Sequence, residues 1–209
     1  MIKILIADDH AIVRRGLKEI ILRDFHDAEI GEAQNGNSLL QFLRSGEYDV
    51  IITDLSMPGM NGLDLLKQLK LEFPRIPVLV LSMFPEEQYG LRVLKAGATG
   101  YLNKENSPEE IVKALQQILM GKKYISEVIA ELLAENIGKS DSLNPHADLS
   151  DREFEVLRMI AGGKSVSEIA RQLSLSVNTI STYRGRILEK MSLKSNAELV
   201  QYAFENKLA

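Results

Sequence analysis

The chain has 209 residues, 45% hydrophobic and 26% charged, with 25 Lys/Arg against 29 Asp/Glu for a formal net charge of −4. This is the composition of an ordinary soluble globular protein with enough apolar material for one large or two small domains. The lack of cysteine excludes disulfide frameworks and cysteine-based zinc sites. The apolar run from Ile4 meets Asp8 and Asp9 after four residues, so neither a signal peptide nor a membrane anchor is expected there, and the expected location is the cytoplasm.

Residues 1–121 alternate two periods. Ile2 to Ala7 reads as a strand, and Val13, Leu17, Ile20 and Ile21 repeat at helical spacing after it. Glu29 to Ala33 is a second strand, followed by a helix through Leu39, Leu40 and Leu43. Val50-Ile51-Ile52-Thr53 is a third, with four consecutive strand formers that suit burial on both faces. It ends at Asp54 and a Pro/Gly turn, and Leu63, Leu66 and Leu69 mark the next helix. Val78 to Leu81 is a fourth strand, Leu91, Leu94 and Ala98 lie on the next helix, and Gly100-Tyr101-Leu102 is a short fifth. Ser107-Pro108-Glu109-Glu110 supplies an N-cap, a first-turn proline and early acids for a helix with Ile111, Leu115 and Ile118 on its apolar face. Five strand-helix units predict one doubly wound, five-stranded parallel sheet.

A further helix is predicted over Tyr124 to Ile137, from Ile125, Ile129, Leu132 and Leu133. Gly138 to Asp148 is polar and turn-rich and reads as a linker spanning at most about 36–40 Å. The expected domains are therefore 1–121, a helix and linker over 122–148, and an all-helical domain over 149–209. In the last, Ser150 with Glu153 forms a capping-box pattern before Val156, Leu157 and Ile160. Gly162-Gly163 ends that helix. Ser165 to Leu173, Val177 to Met191 and Ala197 to Phe204 follow, with a tight turn at Leu175-Ser176. Val177, Ile180, Ile187 and Met191 are expected to face inward. Residues 1–121 hold 13 Lys/Arg and 17 Asp/Glu, whereas 149–209 hold 9 and 7. Within Ser176 to Lys194 the balance is +3, the kind of local cationic face a phosphate backbone attracts.

In open α/β sheets ligands bind beyond the carboxyl ends of the strands. There the topology places Asp8 and Asp9 after the first strand, Asp54 after the third, Ser82 after the fourth and Lys104 after the fifth. Converging carboxylates repel, and a hard divalent cation such as Mg²⁺ offsets that repulsion. With a Lys ammonium and a Ser hydroxyl, such a site can hold a phosphoryl group while Asp54 attacks phosphorus in line. Asp8-Asp9, Asp54 in DLSMPGMNG, Ser82, Tyr101 and Lys104 together resemble the receiver domain of two-component response regulators, the flavodoxin-like fold. That resemblance implies Asp54 as phosphoacceptor, and Asp9, Asp54 and the Ser56 main-chain carbonyl as Mg²⁺ ligands with Asp8 acting through water. It further implies Ser82 and Lys104 on the phosphoryl oxygens, and Tyr101 as the aromatic that swings inward on activation. All three histidines read as ordinary.

Ser165 to Met191 fits helix-turn-helix geometry. LSDREFEVLRMIAGGKSVSEIARQLSLSVNTISTYRGRILEKMSLKSNAELV resembles the LuxR-type output domain, and the whole architecture resembles the NarL/FixJ class. The resemblance implies a recognition helix with Ser181, Thr182 and Gly185 near base edges and Asn178, Thr179, Arg184, Arg186 and Lys190 on phosphates. It also implies a histidine kinase partner, double-stranded DNA as ligand, a homodimer on phosphorylation and a regulator rather than an enzyme. Leu199, Val200, Ala203 and Phe204 are a candidate dimer surface. Two other classes of function share parts of this pattern. A Mg²⁺-dependent phosphohydrolase of the haloacid-dehalogenase pattern wants an Asp two residues after the nucleophile, where this chain has Ser56. A protein-interaction module without DNA binding is the other.

Overall fold

Val, Ile and Leu dominate the strands at the centre of the sheet because those strands are covered on both faces. In the computed structural model, which describes residues 1–136, 145–206 and 208, the strands are β1 (Lys3–Ala7), β2 (Glu29–Ala33), β3 (Val50–Thr53), β4 (Val78–Ser82) and β5 (Gly100–Asn103). All pair in parallel in the order β2-β1-β3-β4-β5, with Ile6 opposite Ile52, Thr53 opposite Val80 and Ser82 opposite Asn103. The chain leaves β1 toward β2 on one side and returns to β3 on the other, so the ends of β1 and β3 flank the switch point of the sheet.

Between the strands run α1 (Ala11–Asp24), α2 (Gly36–Ser45), α3 (Gly62–Glu72), α4 (Glu86–Lys95) and α5 (Pro108–Leu119), with α6 (Glu127–Asn136) after them. Side-chain caps fix the starts of α2, α3 and α5. Asn35 and Ser38 make a reciprocal box, Asn61 accepts from Leu63 and Asp64, and Ser107 accepts from Glu110. Leu17 and Ile21 of α1 and Ile111, Leu115 and Ile118 of α5 bury one face of the sheet, with Ile4, Ile6, Val50, Ile52, Leu79, Leu81 and Leu102 beneath them. Gly62 begins α3 because a Cβ there would lie 2.4 Å from the Leu55 carbonyl oxygen. This pins the loop after Asp54.

Two expectations change in the α/β part of the chain. The helix expected to carry Leu91, Leu94 and Ala98 ends at Lys95, short of Ala98; its buried residues are Glu86, Tyr89, Gly90 and Val93, while Leu91 and Leu94 are only partly covered. Hydropathy does not count Gly90 or Glu86 as core residues, yet Gly90 gives Ile129 a seat and Glu86 bonds to Ser126. The helix expected from Tyr124 starts later, at Glu127, because Tyr124 donates its N–H to the Thr99 carbonyl and stays extended. Ile137 and linker positions 138–144 lie outside the described residues, and Pro145–Asp148 forms a short 3₁₀ turn.

The chain divides into two compact units, Met1–Ala134 and Glu135–Ala209. The second contains α7 (Asp151–Ala161), α8 (Val166–Gln172), α9 (Val177–Lys190) and α10 (Asn196–Glu205). Each starts on a serine, Ser150, Ser165, Ser176 or Ser195, whose hydroxyl accepts the N–H three residues on. Phe154, Val156, Leu157, Ile160, Ile169, Ile180, Ile187, Met191, Leu199 and Ala203 are among its buried residues. Val177 departs from its expected inward position and is 48% exposed, since it sits in the first turn of α9 where the chain has only just left the α8–α9 turn.

Candidate functional site

The sheet delivers its polar residues just past the last rungs of the ladder. Asp54 N–H donates to the Ala7 carbonyl at 2.9 Å, one step beyond β3, and Lys104 N–H donates to the Ser82 carbonyl at 2.8 Å, one step beyond β5. Lys104 Nζ consequently lies 2.6 Å from Asp8 Oδ2 and 2.8 Å from Asp54 Oδ2. All three side chains are buried or nearly so. Burial alone would pull the Lys104 ammonium down. The hydrogen bonds and charges of Asp54 and Asp8 outweigh it and hold it above the usual lysine value.

Asp8 is fully engaged. Its Oδ1 accepts the His10 N–H at 2.8 Å and its Oδ2 faces Lys104. Asp9 Oδ1 and Asp54 Oδ1 are buried without a hydrogen-bond partner, although His10 Nδ1 stands 2.9 Å from the former. An unmatched buried carboxylate oxygen costs at least about 1–3 kcal/mol. Three carboxylates against one ammonium leave the pocket negative, and the free oxygens are hard donors suited to a divalent cation. Asp8, Asp9 and His10 also place ligand atoms within 4.8 Å of one another. Ser56 follows in the exposed loop two residues after Asp54.

Ser82 and Tyr101 meet at Phe84 rather than at Asp54. The Phe84 N–H makes a long 3.4 Å bond to Ser82 Oγ, and its carbonyl accepts the Tyr101 hydroxyl at 2.7 Å and Asn103 Nδ2 at 3.2 Å. Tyr101 is fully buried and already inward. Burial drives its hydroxyl far above the usual tyrosine range, opposed by the Ser82 hydroxyl.

In the second unit, α8 turns through Ser174, whose φ is +54°, into α9. Asn178, Ser181, Thr182, Gly185 and Arg186 share one exposed stripe, and a Cβ at Gly185 would meet nothing within 4 Å. Thr179 and Arg184 are partly covered, Arg184 Nε donating to Asn196 Oδ1 at 2.7 Å. Lys190 points elsewhere. Its ammonium lies 2.7 Å from the buried Glu153 carboxylate and 3.3 Å from the Asp148 carbonyl.

A family model described as the response regulator receiver domain matches residues 4–116, more than half of the chain, and one for bacterial regulatory proteins of the luxR family matches residues 147–203. The chain belongs to the response regulators. It is 34% identical over 210 residues to the response regulator UvrY of Escherichia coli K12, covering 100% of this chain and 96% of that one. It is 38% identical over 205 residues to GacA of Pseudomonas aeruginosa, covering 97% and 95%. The RcsB response regulator of Salmonella typhimurium superposes with a TM-score of 0.73 at 31% identity over 98% of each chain. RcsB from Salmonella enterica serovar Typhimurium bound to the rprA promoter with the phosphomimetic BeF₃⁻ gives 0.70 at 31%, covering 96% of this chain and 97% of that one.

Two residues of this response regulator escaped the sequence reading. His10 read as ordinary but stands on the acidic pair. Arg14 was not singled out, yet it is buried and its Nη1 donates to the Asp8 carbonyl at 2.7 Å, with Glu32 3.4 Å from its Nε. The available signal was its phase, since Arg14, Leu17 and Ile21 lie on one face of α1.

Proposed function

We propose that this response regulator is a phosphorylation-controlled, DNA-binding regulator of transcription. The observation that carries the reading is the pair of buried, hydrogen-bond-free oxygens, Asp9 Oδ1 and Asp54 Oδ1, in a pocket with the Lys104 ammonium. The Asp54 carboxylate attacks the phosphorus of a phosphohistidine on a partner kinase. An O–P bond forms, the N–P bond breaks, and the imidazole leaves with the electron pair. Lys104 and the Ser82 hydroxyl take phosphoryl oxygens. Mg²⁺, held by Asp9, Asp54 and the Ser56 main-chain carbonyl, would offset the charge on the transferring group. Asp8 acts through water, consistent with both of its oxygens already having protein donors. The phosphoryl group ends on the protein, so no external substrate is turned over.

Tyr101 is the switch aromatic and Ser82 its neighbour. The receiver is assigned to 1–121, the helix and linker to 122–148 and the output domain to 149–209. In the output domain α9 enters the major groove with Ser181, Thr182 and Gly185 toward base edges. Asn178, Thr179, Arg184 and Arg186 meet phosphates, and Lys190 has a lesser share because Glu153 holds it. The phosphorylated chain pairs as a homodimer on half-sites about one helical turn apart in the cytoplasm. Among the described residues no helix is long and apolar enough to cross a membrane.

The test is intact mass after incubation with Mg²⁺ and a small-molecule phosphodonor. One phosphoryl adduct that requires Mg²⁺ and is lost in Asp54→Ala is expected. An adduct that persists in the variant would move the acceptor elsewhere.

A further inference from the structure

The pairing of β1 with β2 leaves one carbonyl over at its end. The Asp8 N–H donates to the Ala33 carbonyl at 3.2 Å, and by the even spacing of a parallel ladder the next rung would run from the Asn35 N–H to the Asp8 carbonyl. Asn35 does not supply it. Its N–H goes to the Ser38 hydroxyl, 3.2 Å away, in the box that starts α2. Arg14 takes the place of that donor: its Nη1 donates to the Asp8 carbonyl at 2.7 Å, while its Nε stands 3.4 Å from Glu32 Oε2 on β2.

Arg14 is an unfavourable residue for its place. It ends the first turn of α1, where the helix dipole favours an acid, and its side chain is only 9% exposed, although a charge is costly to bury unless it is paired and hydrogen-bonded. Local preference argues against it, so its reason lies in what the guanidinium holds. The Asp8 carbonyl is half of the peptide plane between Asp8 and Asp9. That plane is rigid, and fixing its oxygen also fixes the N–H and Cα of Asp9. Asp8 is held from four directions, by Ala33 on its N–H, Arg14 on its carbonyl, the His10 N–H on Oδ1 and Lys104 on Oδ2. Asp9 Oδ1 is buried without a hydrogen-bond partner, with the exposed His10 ring 2.9 Å away, so its direction depends on the main chain beneath it.

We propose that Arg14 is a positioning residue of the acceptor pocket: it fixes the Asp8–Asp9 turn so that the Asp9 carboxylate is already ordered when a divalent cation arrives. The inference rests on the acceptor reading above. Arg14 bonds to the Asp8 main chain and to Glu32, so it neither ligates the cation nor touches the phosphoryl group. Without it the turn is free, and the cation must order Asp9 as it binds, at a cost in affinity. Asp54, Ser82 and Lys104 stay where β3, β4 and β5 put them, so the transfer itself is unchanged once the cation is in place.

The test is a Mg²⁺ titration of the full, unphosphorylated chain, followed by the amide NMR shifts of Asp54 and Lys104 in the wild type, Arg14→Met and Arg14→Lys. Arg14→Met is expected to raise the midpoint at least about tenfold, the usual loss when a group behind a metal ligand is removed. Arg14→Lys keeps the charge but cannot serve both the Asp8 carbonyl and Glu32, so its midpoint is expected to fall between the two. The amides of β4 should hold their wild-type positions, which shows that the sheet is intact. With Mg²⁺ at saturation for each variant, a small-molecule phosphodonor is expected to give the wild-type level of adduct by intact mass. A wild-type midpoint in a folded Arg14→Met overturns the inference and leaves the acceptor reading standing. An adduct that stays low at saturating Mg²⁺ also overturns it, because Arg14 would then serve the chemistry or the fold rather than the turn. Should Arg14→Met lose the β4 pattern, the decision passes to Arg14→Lys, and a wild-type midpoint there overturns the inference. A wild-type chain that takes up neither Mg²⁺ nor a phosphoryl group overturns the acceptor reading, and the inference falls with it.

Discussion

Lys104 is one ammonium shared by two buried carboxylates, Asp8 and Asp54. Removing one partner of a buried pair leaves an uncompensated charge, at a cost of roughly 3–5 kcal/mol. Lys104→Met is therefore expected to lower the unfolding free energy by about 3 kcal/mol in the absence of divalent cation, and added Mg²⁺ is expected to recover part of it. Urea titrations with and without Mg²⁺ measure this; a loss indifferent to Mg²⁺ would mean that the cation does not bind among these acids. Asp8, Asp9, Asp54, Ser82 and Lys104 were legible because each interrupts or follows an apolar strand run, where a polar residue has no packing reason to be. Arg14 was not, because an arginine on a helix looks like a solvated charge until the carbonyl of Asp8 is found beneath it.

At the scale of the element, α9 carries two kinds of cation. Arg186 is exposed on the stripe with Asn178 and Thr182, whereas Lys190 holds Glu153 and the start of α7. Arg186→Ala is expected to weaken DNA binding and to reduce the slope of affinity against salt by about one. Lys190→Ala is expected to lower the stability of the helical unit with a smaller change in that slope. A fluorescence-anisotropy salt series beside thermal melts separates the two. Glu153 adds a pH signature. Burial opposes its ionisation, but the Lys190 bond and the Ser150 cap outweigh burial and hold it below the usual carboxylate value. A depressed folded value means that its stabilisation is present above pH 4.5 and is lost as pH falls through the folded value. Glu153→Ala should cost about 1–2 kcal/mol at pH 7 and lose its disadvantage in acid, as melts across that range would show. The caps of α7 and α8 were readable as Ser-x-x-Glu; the inward phase of α4 was not, because its defining residue is a glycine that matters only once Ile129 arrives.

At the scale of the molecule, the proposed regulation rests on pairing of the phosphorylated chain with a second copy. In α10, Leu199 and Ala203 are buried in the helical unit, while Phe204 is 72% exposed. Phe204, with the partly covered Val200, is what that helix leaves accessible for pairing. Phe204→Ser is expected to leave the unfolding free energy within about 0.5 kcal/mol and to weaken association of the phosphorylated chain, as sedimentation equilibrium would register. Unchanged association would place the dimer contact on another surface.

Hydrophobic period, turn residues and caps are local properties, and they were enough to determine the five strands, the order of helices between them, the serine-capped helices of the second unit and the residues that end each strand. Parallel strands must also return in the same direction, so the carboxyl-end residues gathered at one edge without any knowledge of distances. What only the tertiary structure decided was pairing: Lys104 between Asp8 and Asp54, Arg14 on the Asp8 carbonyl, Lys190 on Glu153, and Ile129 on Gly90. Each joins residues distant in sequence, and its energy depends on burial and on an atom-to-atom separation, neither of which is a property of a residue type or of its spacing along the chain.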